Sequence, residues 1–300
     1  MCTRSRAVSR SSSDHARTRD DKARLTRLAL FFCAICGTAG ALLAGCASPR
    51  ETAAGLARGA GLEPRRFATP GFVLAGYARR SDDRNALLAV YVEGDGAAFL
   101  DSTHVSSDPT PTRPVGLELA ALGPSRDILY LARPCQYVAA ADRRNCQPIY
   151  WTTHRYAREV IASMNAAIDQ ELAARPAKGI TLTGYSGGGP TAALIAAMRG
   201  DVVRLVTIAG NLDHAYWAKR DRLTPLSGSL NPIDFVAQLA SVPQVHFAGA
   251  DDDVVTPDVI ESYRARFPAS SDVRVIVVPG FDHRCCWVKE WPRLMQSIAR

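Results

Sequence analysis

From Phe72 onward, short aliphatic runs alternate with longer helix-patterned segments, and that alternation restricts the folds open to the chain. "FVLAGY" (72–77), "ALLAVYV" (86–92), "DILYLA" (127–132), "GITLTGYS" (179–186), "VVRLVTIAG" (202–210), "PQVHFAGA" (243–250) and "DVRVIVVPG" (272–280) read as strands. They are rich in aliphatic residues and bounded by turn formers. Helical spacing fills the gaps. Tyr156, Val160, Met164, Ile168 and Leu172 recur every four residues through "THRYAREVIASMNAAIDQELAARP", a stripe that ends near Pro176. "PTAALIAAM" (190–198) and "TPDVIESYRARF" (256–267) are further helices, the second with Thr256 as cap and Pro257 at its first position. A closing helix starts near Cys286 and bends or restarts at Pro292. Strands separated by helices predict βαβ units, hence an α/β domain over residues 71–300 with a mainly parallel central sheet and helices on both faces. Residues 211–242 are a long insertion between two strands, expected as a small cap over a pocket.

The formal charge of +7 would suit a nucleic-acid partner, but it is unevenly placed. Residues 1–45 carry eight Lys or Arg against three Asp, a net +5, which leaves +2 for the remaining chain. Nucleic-acid binding therefore loses its electrostatic basis. The same segment has the parts of an export signal: basic residues ending at Arg27, then the apolar run "LALFFCAICGTAGALLAGC". Leu43-Ala44-Gly45-Cys46 looks like a bacterial lipobox, which implies a signal peptide over 1–45 and lipidation, with palmitate, at Cys46. An uncleaved membrane anchor is the alternative. Residues 46–70, polar and rich in small residues, read as a tether. Ala47 after the cysteine favours, by resemblance, the periplasmic face of a Gram-negative outer membrane, and so a cell-envelope location. Four cysteines then remain: Cys135, Cys146, Cys285 and Cys286. An even number in an oxidising compartment suggests disulfides, and Cys135–Cys146 closes a short loop. Free thiols or cross-pairing stay open for the other two. No spacing resembles a zinc site.

Gly184-Tyr185-Ser186-Gly187-Gly188 matches G-x-S-x-G where an apolar strand passes into a helix. A sharp turn there strains the serine backbone and crowds the positions two residues away, which glycine relieves. The helix start supplies free backbone N–H groups. A phosphate cradle would need Lys and Ser/Thr after the last glycine, and Pro190-Thr191 follow instead. Downstream, the strand "QVHFAG" ends in "ADDDVVTP", and the last strand runs into Phe281-Asp282-His283. His154 (helix), His246 (strand), His104 and His214 (loops) are less well placed, although His214 lies in the insertion and could meet substrate.

Taken together, these stretches resemble the α/β-hydrolase superfamily over most of residues 72–300. The resemblance implies Ser186 as nucleophile, His283 as base and a carboxylate between them in the chain. Gly249-x-x-Asp252-x-x-Val255 resembles the family's acid turn and favours Asp252, with Asp251 and Asp253 as alternatives. Gly187 would give one oxyanion N–H. Gly94-Asp95-Gly96 resembles the family's His-Gly loop, with Glu93 in place of the histidine, so Asp95 or Gly96 would give the second. Asp95 also puts a negative charge near that site. Tyr185 and Trp217 are candidate substrate contacts. The implied activity is hydrolysis of a small-molecule ester without a metal or organic cofactor, with the membrane as partner through Cys46. A peptidase or acyltransferase would use the same triad. A non-catalytic envelope lipoprotein on the same scaffold is a reading from another class.

Overall fold

The computed structural model describes residues 47–83, 85–101 and 103–298; the expected signal peptide and lipobox, with Cys46, lie outside the described residues. Eight strands form one sheet: β1 (Glu63–Ala68), β2 (Val73–Arg79), β3 (Leu87–Val92), β4 (Asp127–Leu131), β5 (Gly179–Tyr185), β6 (Val202–Ile208), β7 (Gln244–Gly249) and β8 (Val273–Val278). Their order is β1-β2-β4-β3-β5-β6-β7-β8. β2 is antiparallel to both β1 and β4, and every other pairing is parallel. The seven strands expected from residue 72 onward are all present.

Alternation along the strands divides the core in two. Leu88, Val90, Val92, Ile180 and Leu182 face one side, where they join α3 (Arg158–Ala174), α4 (Gly188–Ala196) and α7 (Pro257–Arg264). Ala89, Tyr91, Val245 and Phe247 face the other, against α1 (Pro49–Gly59), α2 (Val115–Ala121) and α8 (Trp287–Ile298). Central strands buried on both faces read as nearly continuous apolar runs, as a parallel sheet requires. α5 (His214–Arg220) and α6 (Val236–Leu239) belong to the insertion.

Residues 48–68 correct the expected tether. Ser48 caps α1 in a reciprocal box, its Oγ accepting from Glu51 N at 3.2 Å and its own N–H donating to Glu51 Oε2 at 2.7 Å. Ala53 and Ala57, small residues that suggest a linker, are the face by which α1 packs on the core. β1 then pairs with β2 along its whole length. α3 starts at Arg158 rather than in "THRY", because residues 152–156 continue as turns from the 3-10 helix 148–151 and Ala157, at ψ 154°, is not helical. α8 runs through Pro292 as one helix, held on the sheet by buried Trp287 and Trp291.

His246 sets a pH limit on this fold. Its ring is fully buried, with Nδ1 2.8 Å from Thr207 Oγ1 and Nε2 3.1 Å from Gln244 Oε1. Burial pushes its pKa down from 6.5 to about 3. Between those values the unfolded chain binds more protons than the folded one. This stability is complete above the unfolded value and is lost as pH falls, by about 1.4 kcal/mol per unit. The melting temperature should drop between pH 6.5 and pH 5, and His246→Gln should flatten that slope. Equal slopes in the two proteins would refute the assignment.

Candidate active site

The strand-to-helix turn after β5 carries Ser186 in the left-handed region, at φ 49°. A Cβ on Gly184 would stand 2.2 Å from the Gly188 carbonyl oxygen, and one on Gly188 would stand 2.3 Å from that of Val92. Only glycine at both positions lets β5 turn this sharply beside β3. Ser186 N–H donates to the Ile208 carbonyl at 2.8 Å, which fixes the turn to β6.

Two loops at the same sheet edge bring up the partners. His283, beyond β8, places Nε2 2.9 Å from Ser186 Oγ, and its Nδ1 lies 2.9 Å from Asp252 Oδ2. A carboxylate only accepts, so Nδ1 carries the proton and Nε2 is free to accept from the serine. Asp252 is almost fully buried, and its Oδ1 accepts from Val254 N at 2.9 Å and Val255 N at 2.8 Å. Its neighbours Asp251 and Asp253 point to solvent. Tyr185 stands at the cleft wall, and its hydroxyl donates to the His283 carbonyl at 2.9 Å.

The glycine loop after β3 lies across the elbow, close enough that a Cβ on Gly94 would be 3.3 Å from the Tyr185 carbonyl. Glu93 does not face solvent. Its carboxyl is buried and accepts from Gly94 N, Gly116 N and the Tyr130 hydroxyl, each at 3.0 Å. Burial raises its pKa, against the lowering effect of those donors. The glutamate thus fastens the loop to the start of α2.

The negative charge at Asp95 is balanced within the protein. Burial would raise its pKa, but Arg155 and Arg133 together hold it below the ordinary carboxylate value. Arg155 Nη1 reaches Oδ2 at 2.6 Å and Arg133 Nη1 reaches Oδ1 at 3.2 Å. The carboxylate lies so near Gly187 that a Cβ there would meet Oδ1 at 2.1 Å, which accounts for the glycine after the serine. Among the described residues, neither Gly187 N–H nor Asp95 N–H donates to a protein group.

The cleft around Ser186 measures about 510 Å³. Its lining comes from residues 93–97, 99, 111–113, 115, 185–186, 254 and 283–284, and none of it from 211–242. This corrects the expected cap. Leu226 is buried in the core, and Trp217 turns its Nε1–H to the carbonyl of Val254, a lining residue, at 2.7 Å. Trp217, expected as a substrate contact, is not among the residues that line the cleft. His214 is also elsewhere, its Nε2 3.2 Å from the Leu230 carbonyl. The insertion lines a separate cleft of about 880 Å³ that shares no residue with the first. Cys135 and Cys146 form a disulfide with a Cα separation of 5.6 Å, and Cys285, two residues after His283, pairs with Cys286. Among the described residues, no group of three or more His, Cys, Asp or Glu side chains could hold a metal ion.

Arg133, Gln136 and Arg155 are the residues at this site that the sequence alone does not single out. A buried arginine leaves no periodic signature, and its partners lie tens of residues away.

A mostly parallel eight-stranded sheet, helices on both faces and a serine at a strand-to-helix elbow define the α/β-hydrolase fold. The acylaminoacyl peptidase of Pyrococcus horikoshii is similar to it with a TM-score of 0.60 at 13% identity, over 80% of this chain. This chain spans only 41% of that peptidase. The esterase Pf2001 of Pyrococcus furiosus is similar with a TM-score of 0.57 at 14% identity, over 81% of this chain and 91% of its own. Est1E from Butyrivibrio proteoclasticus gives 0.53 at 14% identity, over 79% and 100%. At these identities the likeness is one of fold. No protein-family model matches the sequence, and no curated protein does.

Proposed function

We propose that the chain is a serine hydrolase that cleaves a small-molecule ester through an acyl-enzyme. The observation that carries this reading is the continuous chain of contacts from Ser186 Oγ to His283 Nε2 and from His283 Nδ1 to Asp252 Oδ2, both 2.9 Å. His283 Nε2 takes the serine proton as Oγ bonds to the ester carbonyl carbon. Gly187 N–H and Asp95 N–H donate to the oxyanion that forms. His283 then gives its proton to the leaving alkoxide as the C–O bond breaks. Water repeats the sequence on the acyl-enzyme, releasing the carboxylic acid and restoring Ser186. Asp252 holds the imidazole in the required tautomer throughout.

Phe99, Val115 and Val254 line the cleft, which suits a short acyl chain. The likeness to an acylaminoacyl peptidase makes blocked peptides the second class to screen. Lipidation at Cys46 and placement in the cell envelope complete the proposal, on the strength of the leader alone.

A fluorophosphonate probe tests the chemistry. Treatment of the folded protein, followed by peptide mass spectrometry, should give one adduct, on Ser186. An adduct on another serine, or none, would overturn the reading.

A further inference from the structure

The two proposed oxyanion donors lie on different segments, residues 94–96 and the elbow. The β3–β5 ladder ends at Val92 and Gly184, just short of both. Among the described residues, no backbone hydrogen bond joins Gly94–Gly96 to Ser186–Gly188. An oxyanion hole works only if its donors keep a fixed separation, because the stabilisation depends on preorganised geometry. Something else must hold them together.

Arg133, only 4% exposed, spans the gap. Its Nη1 donates to the Gly187 carbonyl at 2.8 Å and to Asp95 Oδ1 at 3.2 Å. Its Nη2 donates to the Arg155 carbonyl, and its guanidinium carbon lies 5.2 Å from the Tyr156 ring centroid. Arg155 holds the other Asp95 oxygen. Gln136 completes the frame, accepting from Arg133 N at 3.0 Å and donating to the Gly94 carbonyl at 3.0 Å. The Gly187 carbonyl is also bonded by Thr191 Oγ1 at 3.1 Å, but that bond stays within the elbow and α4. Gln136 lies within the loop that the Cys135–Cys146 bond closes, and Arg133 stands two residues before it.

We propose that Arg133 is a positioning residue that sets the oxyanion hole. By gripping the Asp95 carboxylate and the Gly187 carbonyl, it fixes the two N–H donors relative to each other. With Arg155 it also leaves the buried cluster one positive charge in excess of Asp95, where an unpaired carboxylate would repel the oxyanion. Arg133 touches neither substrate nor nucleophile. The inference rests on the hydrolase reading.

The test compares wild type with Arg133→Gln, Arg133→Lys and Asp95→Asn, as full-length protein with p-nitrophenyl acetate. Asp95→Asn nearly preserves shape and keeps the test informative if loss of Arg133 prevents folding. Positioning predicts that kcat falls about 100-fold in Arg133→Gln and about tenfold in Asp95→Asn, with KM within about threefold. Affinity for a trifluoromethyl ketone, which forms an oxyanion on Ser186, should fall by the same factors. Lysine keeps the charge but cannot bridge both acceptors with a planar fork, so Arg133→Lys should not restore the rate. Folded variants with wild-type kcat and ketone affinity, or a change confined to KM, would overturn the positioning role alone. A wild-type protein that neither turns over ester nor labels at Ser186 would overturn the hydrolase reading as well.

Discussion

Ser186→Ala is expected to lower ester turnover about a million-fold, the loss seen when a hydrolytic serine acting within a triad is removed. The expectation follows from how little else depends on the side chain. Its Oγ contacts His283 Nε2, whereas the elbow is held by the Ser186 backbone N–H and by the two flanking glycines. Alanine has the same backbone preferences as serine at φ 49°, so the turn should survive and the melting temperature should stay within a degree or two. What remains is catalysis by the oxyanion donors and binding alone, a factor of roughly a thousand to ten thousand over water. Initial rates measured at high enzyme concentration decide the matter. A variant that keeps more than a thousandth of wild-type activity would mean that another group attacks the ester.

Asp252→Asn should cost about ten-thousandfold in kcat with little change in fold. The local hydrogen bonds determine the direction of the amide. Oδ1 of Asp252 is held by the N–H groups of Val254 and Val255, so the asparagine carbonyl must take that side. Its NH2 then faces His283 Nδ1, which has to become an acceptor. The proton moves to Nε2, where it blocks the very atom that should receive the serine proton. A rate within tenfold of wild type would show that Asp252 does not orient the base, and Asp251 and Asp253 would then need the same substitution.

Much of this arrangement is legible in the sequence because it is local or strictly ordered. The elbow is five consecutive residues whose glycines answer steric demands that the structure measures directly, and the strands announce themselves by aliphatic runs. The long-range parts are not legible. Arg133 and Arg155 matter through Asp95, 38 and 60 residues away, and no spacing rule connects them. The insertion misleads for a related reason. Its Trp217 has a carbonyl partner at Val254, a contact that depends on how two loops meet after the sheet has formed. Helix α1 differs again, since Ser48-Pro49-Arg50-Glu51 is a capping box that opens a proline-started helix. That signal is present in the sequence but outweighed there by the small residues that follow.

The early start of that helix has a consequence for how far the folded body could roam. With a lipid at Cys46, as proposed, only Ala47 separates the anchor from the Ser48 cap. Two residues reach at most about 7 Å. A 25-residue tether of the kind suggested by composition would let the catalytic body drift several nanometres and turn freely. A leash this short would instead hold it against the lipid headgroups with restricted rotation. The substrates available to Ser186 would then be those that diffuse along or close to the membrane surface.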